Sequence, residues 1–154
     1  MNSLYRYTLS REIDMSSNRL LLVCMLNPST ADDTKNDPTI SQVCRLTKNG
    51  GFGKLLVVNL LGIRATKPDD IWLHDDPIGK DNWKAWCEII KDMDPEQDEI
   101  GIAWGRPPQR KRDLVRYLPS IMTASSHLKL WRNPLKTWKV NVDGSPRHPD
   151  GVTT

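Results

Sequence analysis

Two asparagines and a histidine carry most of the chemistry this sequence offers. Asn27 follows an apolar run, Leu20 to Leu26, and opens the segment Asn27-Pro28-Ser29-Thr30. Asn59 closes a second apolar run, Leu55-Leu56-Val57-Val58, and His148 stands in Arg147-His148-Pro149 near the far end. A carboxamide presents a donor and an acceptor side by side, which suits the planar edge of a nucleobase. Asparagine cannot act as a general base, but it can orient a water. An imidazole adds a titratable group near neutral pH. A buried amide at a strand end is costly unless paired. Asn59 therefore either caps the turn through the backbone or faces a ligand.

A further strand-end signal, Trp104-Gly105, leads into a basic run. Arg106, Arg110, Lys111, Arg112 and Arg116 stand there against one acid, Asp113. Such a run is either a solvated face or a set of phosphate contacts. Arg64, five residues beyond Asn59, is a candidate clamp for a phosphate or carboxylate. Ser29 and Thr30 would donate to a ligand or cap a helix.

These groups converge only if the elements that carry them run side by side. Tyr5 to Arg11 alternates polar and apolar residues, as an edge or antiparallel strand does. Arg19 to Leu26, Lys54 to Leu61 and Glu99 to Trp104 read as buried strands. Asp37-Pro38 marks a helix start, with Asp as N-cap and Pro at the first helical position. Ile40, Val43, Cys44 and Leu46 give that helix an apolar face, and Asn49-Gly50-Gly51 ends it. Gly62 to Asp76 is a long connection. Lys80 to Met93 and a short basic stretch, Gln109 to Leu118, read as helices. Leu128 to Trp131 and Thr137 to Val142 read as strands, with a turn at Asp143-Gly144. Strands alternating with helices predict a three-layer α/β/α fold with a mainly parallel central sheet. Parallel neighbours lie about 4.8 Å apart, so their ends share the rim where ligands bind in open α/β sheets.

The totals set bounds. The 154 residues fit one α/β domain, 1–154, with 150–154 a frayed tail. The longest apolar run is too short to span a bilayer, and Met1 to Ser10 lacks an apolar signal segment. The expected location is the cytoplasm, with no membrane partner. Cys24, Cys44 and Cys87 are too widely spaced for a zinc site or disulfide framework, and Cys24 inside a core strand reads as packing. The net charge of +3 neither demands nor forbids nucleic acid. Asp14, Asp32, Asp33 and Asp37 are hard-cation ligand types without a calcium-loop spacing, and loop solvation and helix capping account for them. No metal and no cofactor is expected. His74 and His127 read as surface residues.

Taken in order, these segments resemble the uracil-DNA glycosylase superfamily. There a strand ends in Gly-X-Asp/Asn-Pro, a second in an apolar run closed by Asn, and a third in Trp-Gly before a basic stretch; a late segment carries His-Pro. The matching residues are Met25-Leu26-Asn27-Pro28, Leu56-Val57-Val58-Asn59, Ile102-Ala103-Trp104-Gly105 with Gln109-Arg110-Lys111, and Arg147-His148-Pro149. More closely, the chain is identified as a member of an uncharacterised family of bacteria and their phages, domain of unknown function 1643. Its hallmarks are Tyr5-Arg6-Tyr7, Leu26 to Asp32, Asp37-Pro38-Thr39-Ile40, Asn59-Leu60 with Arg64-Ala65-Thr66, Trp104-Gly105 and Pro146 to Pro149.

The glycosylase resemblance implies that Asn27 positions a water against the anomeric carbon, Asn59 pairs with the base edge and His148 stabilises the departing base anion. The base would be flipped out to be reached, with Phe52 or Trp104 stacked on it. Pro28, Ser29, Thr30, Gly105 and Arg147 would line the same site, and Arg106, Arg110, Lys111 and Arg112 would hold phosphates. The chain departs from that pattern. Asn27 replaces the more active Asp, Met25 and Ser29 replace flanking glycines, and Asp150 follows His148-Pro149.

Three functions follow as expectations. One is glycosylase-like hydrolysis of the N-glycosidic bond of a modified or unmodified base in DNA. Another is a catalytically silent module that binds nucleic acid or a nucleotide. The third is a phage or mobile-element protein that binds a host protein through an apolar patch around Trp131 and Trp138.

Overall fold

The computed structural model describes residues 4–28, 31, 34–65, 67–138, 146 and 148–149. Its strands are β1 (Leu9–Glu12), β2 (Leu20–Met25), β3 (Lys54–Asn59) and β4 (Glu99–Ile102). Its helices are α1 (Pro38–Asn49), the single-turn α2 (Pro68–Ile71), α3 (Asn82–Asp92) and α4 (Lys111–Leu128).

The fold is α/β, built on a four-stranded sheet of order β1-β3-β2-β4. β2 pairs in parallel with both β3 and β4, whereas β1 pairs antiparallel with β3. The sheet is therefore mixed, which corrects the expectation of a mainly parallel one. The cause lies before β1. Tyr5 and Tyr7 stack on each other, with ring centroids 5.9 Å apart, and press against Gly62 and Gly79. Strand pairing starts at Leu9 instead of Tyr5, and a lone bridge joins Tyr5 to Ile63.

Alternation along β2 builds two apolar layers. Leu21, Val23 and Met25 pack with Ile40 and Val43 of α1. Leu22 and Cys24 pack with Trp86 and Ile90 of α3 and with Tyr117, Ala124 and Leu128 of α4. Burial pushes the Cys24 thiol pKa up, as suits a packing residue. The chain starts α1 as read from the sequence. The Asp37 carboxylate accepts the Ile40 N–H at 2.8 Å, Pro38 fills the first position, and Gly50 closes the helix.

This wiring creates a switch point. The connection from β2 to β3 passes through α1 on one face, and that from β3 to β4 passes through α3 on the other. The loops leaving β2 and β3 therefore diverge, and a crevice opens between the C-terminal ends of these neighbours. The register makes Met25 the partner of Asn59, so the crevice lies beside the two asparagines.

Three other expectations change. α4 runs to Leu128 rather than stopping at Leu118. Pro119 sits inside it and removes one helical donor, but Tyr117, Ser120, Ala124 and Leu128 keep one buried face continuous. Leu128 to Trp131 is consequently a helix end and turn, not a strand. Trp131 is buried and Trp138 is half-buried against Gly101, so the two form no exposed patch. The exposed large apolar residues include Leu73, Val115, Leu118 and Met122 instead. Of the strand expected at Thr137 to Val142, residues 139–142, like the turn at Asp143-Gly144, lie outside the described residues. Lys136 nevertheless exchanges backbone bonds of 2.8 Å with Ile100 and Ile102 along the β4 edge. Among the described residues, no helix is long and apolar enough to cross a membrane.

Candidate functional site

A cavity of about 390 Å³ fills the crevice, within the range of small-molecule sites. Asn27, Asn59 and His148, drawn from three distant parts of the chain, line it together. Pro28, Ala65 and Ile71 supply apolar wall, and Arg6, Asp37 and Thr39 add polar groups.

Asn27 is held by its nitrogen. Its Nδ2 donates to the backbone carbonyls of Pro28 and Ala65, both at 2.8 Å. Those bonds use both amide hydrogens and leave Oδ1 as the acceptor. They need the two loops to stay together. The Leu60 and Leu61 N–H groups supply this by donating to Met25 and Leu26 at 2.9 Å, and the Ala65 N–H donates to Pro28 at 3.2 Å. The β2–β3 ladder thus continues past the strand ends.

Asn59 is held by its backbone. Its carbonyl accepts from the Trp86 indole at 3.0 Å and from Asn82 Nδ2 at 3.0 Å, and Asn82 reaches the Leu60 carbonyl at 3.2 Å as well. The residue is 3% exposed. Its side-chain amide makes no hydrogen bond to another described residue, so it does not cap the turn there. A buried amide that borders a cavity in this way is poised to pair with whatever enters.

His148 is half-buried and stands against Gly105, whose φ is +79°. A Cβ added at 105 would meet the His148 Cβ at 3.6 Å. Trp104-Gly105 therefore matters as the turn that seats the histidine segment. Gly105→Ala is expected to cost about 1 kcal/mol from the left-handed backbone alone, read as a fall in Tm of about 2–4 °C.

The remaining sequence candidates divide. Phe52 precedes β3, at the opposite end of the sheet; it is 1% exposed with the Arg19 guanidinium 4.4 Å from its ring centroid. It cannot stack on a ligand in the crevice. Trp104 is likewise buried in the layer under α3 and α4 and does not line the cavity. Arg64 is half-buried outside the lining and donates its backbone N–H to Leu4. Arg106, Arg110, Lys111 and Arg112 are exposed on the β4–α4 connection, which leaves the same rim. Ser29, Thr30 and Arg147 lie outside the described residues, as do Asp32 and Asp33.

The other acids and histidines have structural work. Asp37 accepts from Ile40 and Ala31, and Asp14 accepts from Ser16 twice, which holds its carboxyl below the usual range. Asp98 accepts from Leu20 and Asp94 at 2.8 Å. His127 stacks on Trp83, and the His74 carbonyl accepts from Arg116. Arg6 and Thr39 are cavity residues that strand-end reasoning missed. The signal for both was available, since each sits in a family hallmark segment away from any strand end.

Fold and site together define an α/β protein with a ligand-sized crevice at its topological switch point, polar at three points and apolar between them. Over residues 6–149 the chain matches the family model described as "Protein of unknown function (DUF1643)", and it belongs to that family. The search of curated proteins and the search of solved structures return no match.

Proposed function

We propose that the crevice receives a nucleobase or nucleotide, and that the protein is a glycosylase-like hydrolase of the N-glycosidic bond of a base in DNA. The fold then is a variant of the three-layer uracil-DNA glycosylase arrangement with a mixed sheet. The observation that carries this reading is the convergence of Asn27, Asn59 and His148 on one cavity.

Each group has a role that its setting supports. Asn59 offers an unengaged donor and acceptor to the base edge. Asn27 accepts one hydrogen of the attacking water through Oδ1 and so aims the oxygen lone pair at C1′. The water oxygen bonds to C1′ as the C1′–N bond breaks, and the bonding pair leaves on the base. His148 donates a hydrogen bond to that anion as its charge develops. One water proton passes to the base or to solvent, and the remaining O–H becomes the C1′ hydroxyl. Because Asn27 takes no proton, catalysis depends chiefly on stabilising the leaving base.

A second reading has its own support. The Asn27 amide is committed to two carbonyls, which suits a silent nucleic-acid or nucleotide reader as well as a slow hydrolase. The two readings separate by experiment. Single- and double-stranded oligonucleotides bearing uracil or modified bases are incubated with the protein and treated with alkali to break abasic sites. The hydrolase reading expects strand breaks that fall about 100-fold or more in Asn27→Ala and in His148→Ala. No breaks on any substrate would leave the binding reading in possession of the site.

A further inference from the structure

A second cavity, of about 220 Å³, is lined by Trp72, Leu73, Arg110, Arg112, Asp113 and Arg116. It adjoins the first along the chain, since Ile71 lines one and Trp72 the other. Consecutive Cα atoms are about 3.8 Å apart, so this short segment is a partition between two neighbouring chambers.

The lining is basic and aromatic. Arg116 is structural; it donates to the carbonyls of Trp72, His74 and Asp75 and so fixes the 72–75 turn. Arg110 and Arg112 are exposed. Asp113, buried in the first turn of α4, lies 3.7 Å from the Arg112 guanidinium and offsets one charge. Trp72 meets Tyr117 edge to face at 6.5 Å, which fixes its indole. Leu73 is 77% exposed, an unusual position for a leucine beside arginines. A cationic wall with an anchored indole and a projecting apolar side chain suits an anion attached to a flat ring.

We propose that this cavity is a subsite for a single DNA strand. It would hold the backbone phosphate and the flanking base next to a nucleotide seated in the first cavity. Arg110 and Arg112 bind the phosphate, and Trp72 and Leu73 offer surface to the unpaired base. A paired base has no free face to stack, so this subsite favours single-stranded over duplex DNA. The register between the two chambers rests on the nucleobase reading of the first cavity; the anion chemistry of the second does not.

The test uses the intact chain, a labelled oligodeoxythymidylate of about six nucleotides and free thymidine. Oligonucleotide affinity is measured across a salt series, and thymidine binding is followed at the Asn59 side-chain amide by NMR. Arg110→Gln with Arg112→Gln is expected to weaken the oligonucleotide about tenfold at low salt. It should flatten the slope of log K against log salt by about 1.4, at about 0.7 per lost phosphate contact. Leu73→Ser, at a position too exposed to threaten folding, should weaken it several-fold at an unchanged slope. Thymidine binding should be unchanged in both. Arginine-dependent oligonucleotide binding without thymidine binding would uphold the subsite and remove the nucleobase reading. Oligonucleotide affinity that ignores the arginines, or no oligonucleotide binding, would overturn the subsite. So would an equal loss of thymidine binding in the arginine variant.

Discussion

Asn27→Asp is expected to cost about 3 kcal/mol of stability at neutral pH and to recover much of that loss in acid. The wild-type amide gives both hydrogens to carbonyls 2.8 Å away. A carboxylate would set a negative oxygen against those same carbonyls, with no hydrogen between them. Folding would then favour the neutral acid and raise its proton affinity above that of the unfolded chain. Between the unfolded and folded titrations, the folded state holds a proton that the unfolded state lacks. Stability therefore falls as pH rises through that window, and the penalty is complete above the folded-state titration.

Urea midpoints of wild type, Asn27→Ala and Asn27→Asp across about pH 4.5 to 8 read this directly. Alanine merely removes a donor from carbonyls that border a cavity, so the aspartate should be the less stable variant at neutral pH. The gap should close in acid. Equal stability of the two variants at every pH would mean that the amide nitrogen is not committed to the carbonyls. The chemical consequence is that asparagine here is more than a weakened aspartate. The loops around it are built for a donor, and the more active residue of the resembled superfamily does not fit them.

Gly53→Ala carries the other large effect, an expected loss of about 3 kcal/mol or more. A Cβ at 53 would overlap the Ser17 carbonyl oxygen and stand 2.7 Å from the Asp14 carbonyl oxygen. Neither obstacle is a flexible side-chain tip. The Gly53 carbonyl also accepts from Ile13 and Asp14, and its N–H donates to Arg19. The β1–β2 connection is thus folded onto this residue from both sides. Chemical denaturation should show a lower midpoint at an unchanged m-value. A midpoint within about 0.5 kcal/mol of wild type would mean that the connection moves aside freely.

Much of the site was legible because strand ends announce themselves. An apolar run that stops at an asparagine is visible in one dimension, and parallel pairing places two such ends side by side. That accounts for Asn27 and Asn59. His148 needed the resemblance, since nothing near it in sequence says which rim it reaches. Phe52 misled for a physical reason. It borders the same strand as Asn59, but at the N-terminal end, and a strand of six residues separates its two ends by about 20 Å. Trp104 misled differently, because its position at a strand end is right while its side chain turns into the core.

The extent of α4 was hidden by Pro119. Local propensity argues for a stop there, and only the burial of Ser120, Ala124 and Leu128 shows why the helix continues. Arg6 and Thr39 were invisible to strand-end reasoning, since one precedes β1 and the other opens α1. The partition at Ile71 and Trp72 could not be seen at all, because it depends on how the long connection after β3 packs against α4.

The account stands on one ligand touching three side chains at once. A thymidine titration followed by NMR, with the Asn27 and Asn59 side-chain amides and the His148 ring assigned, tests that most directly. The account predicts that all three sets of resonances move together and fit a single Kd. Resonances that stay still, or one that moves while the other two are silent, would contradict it.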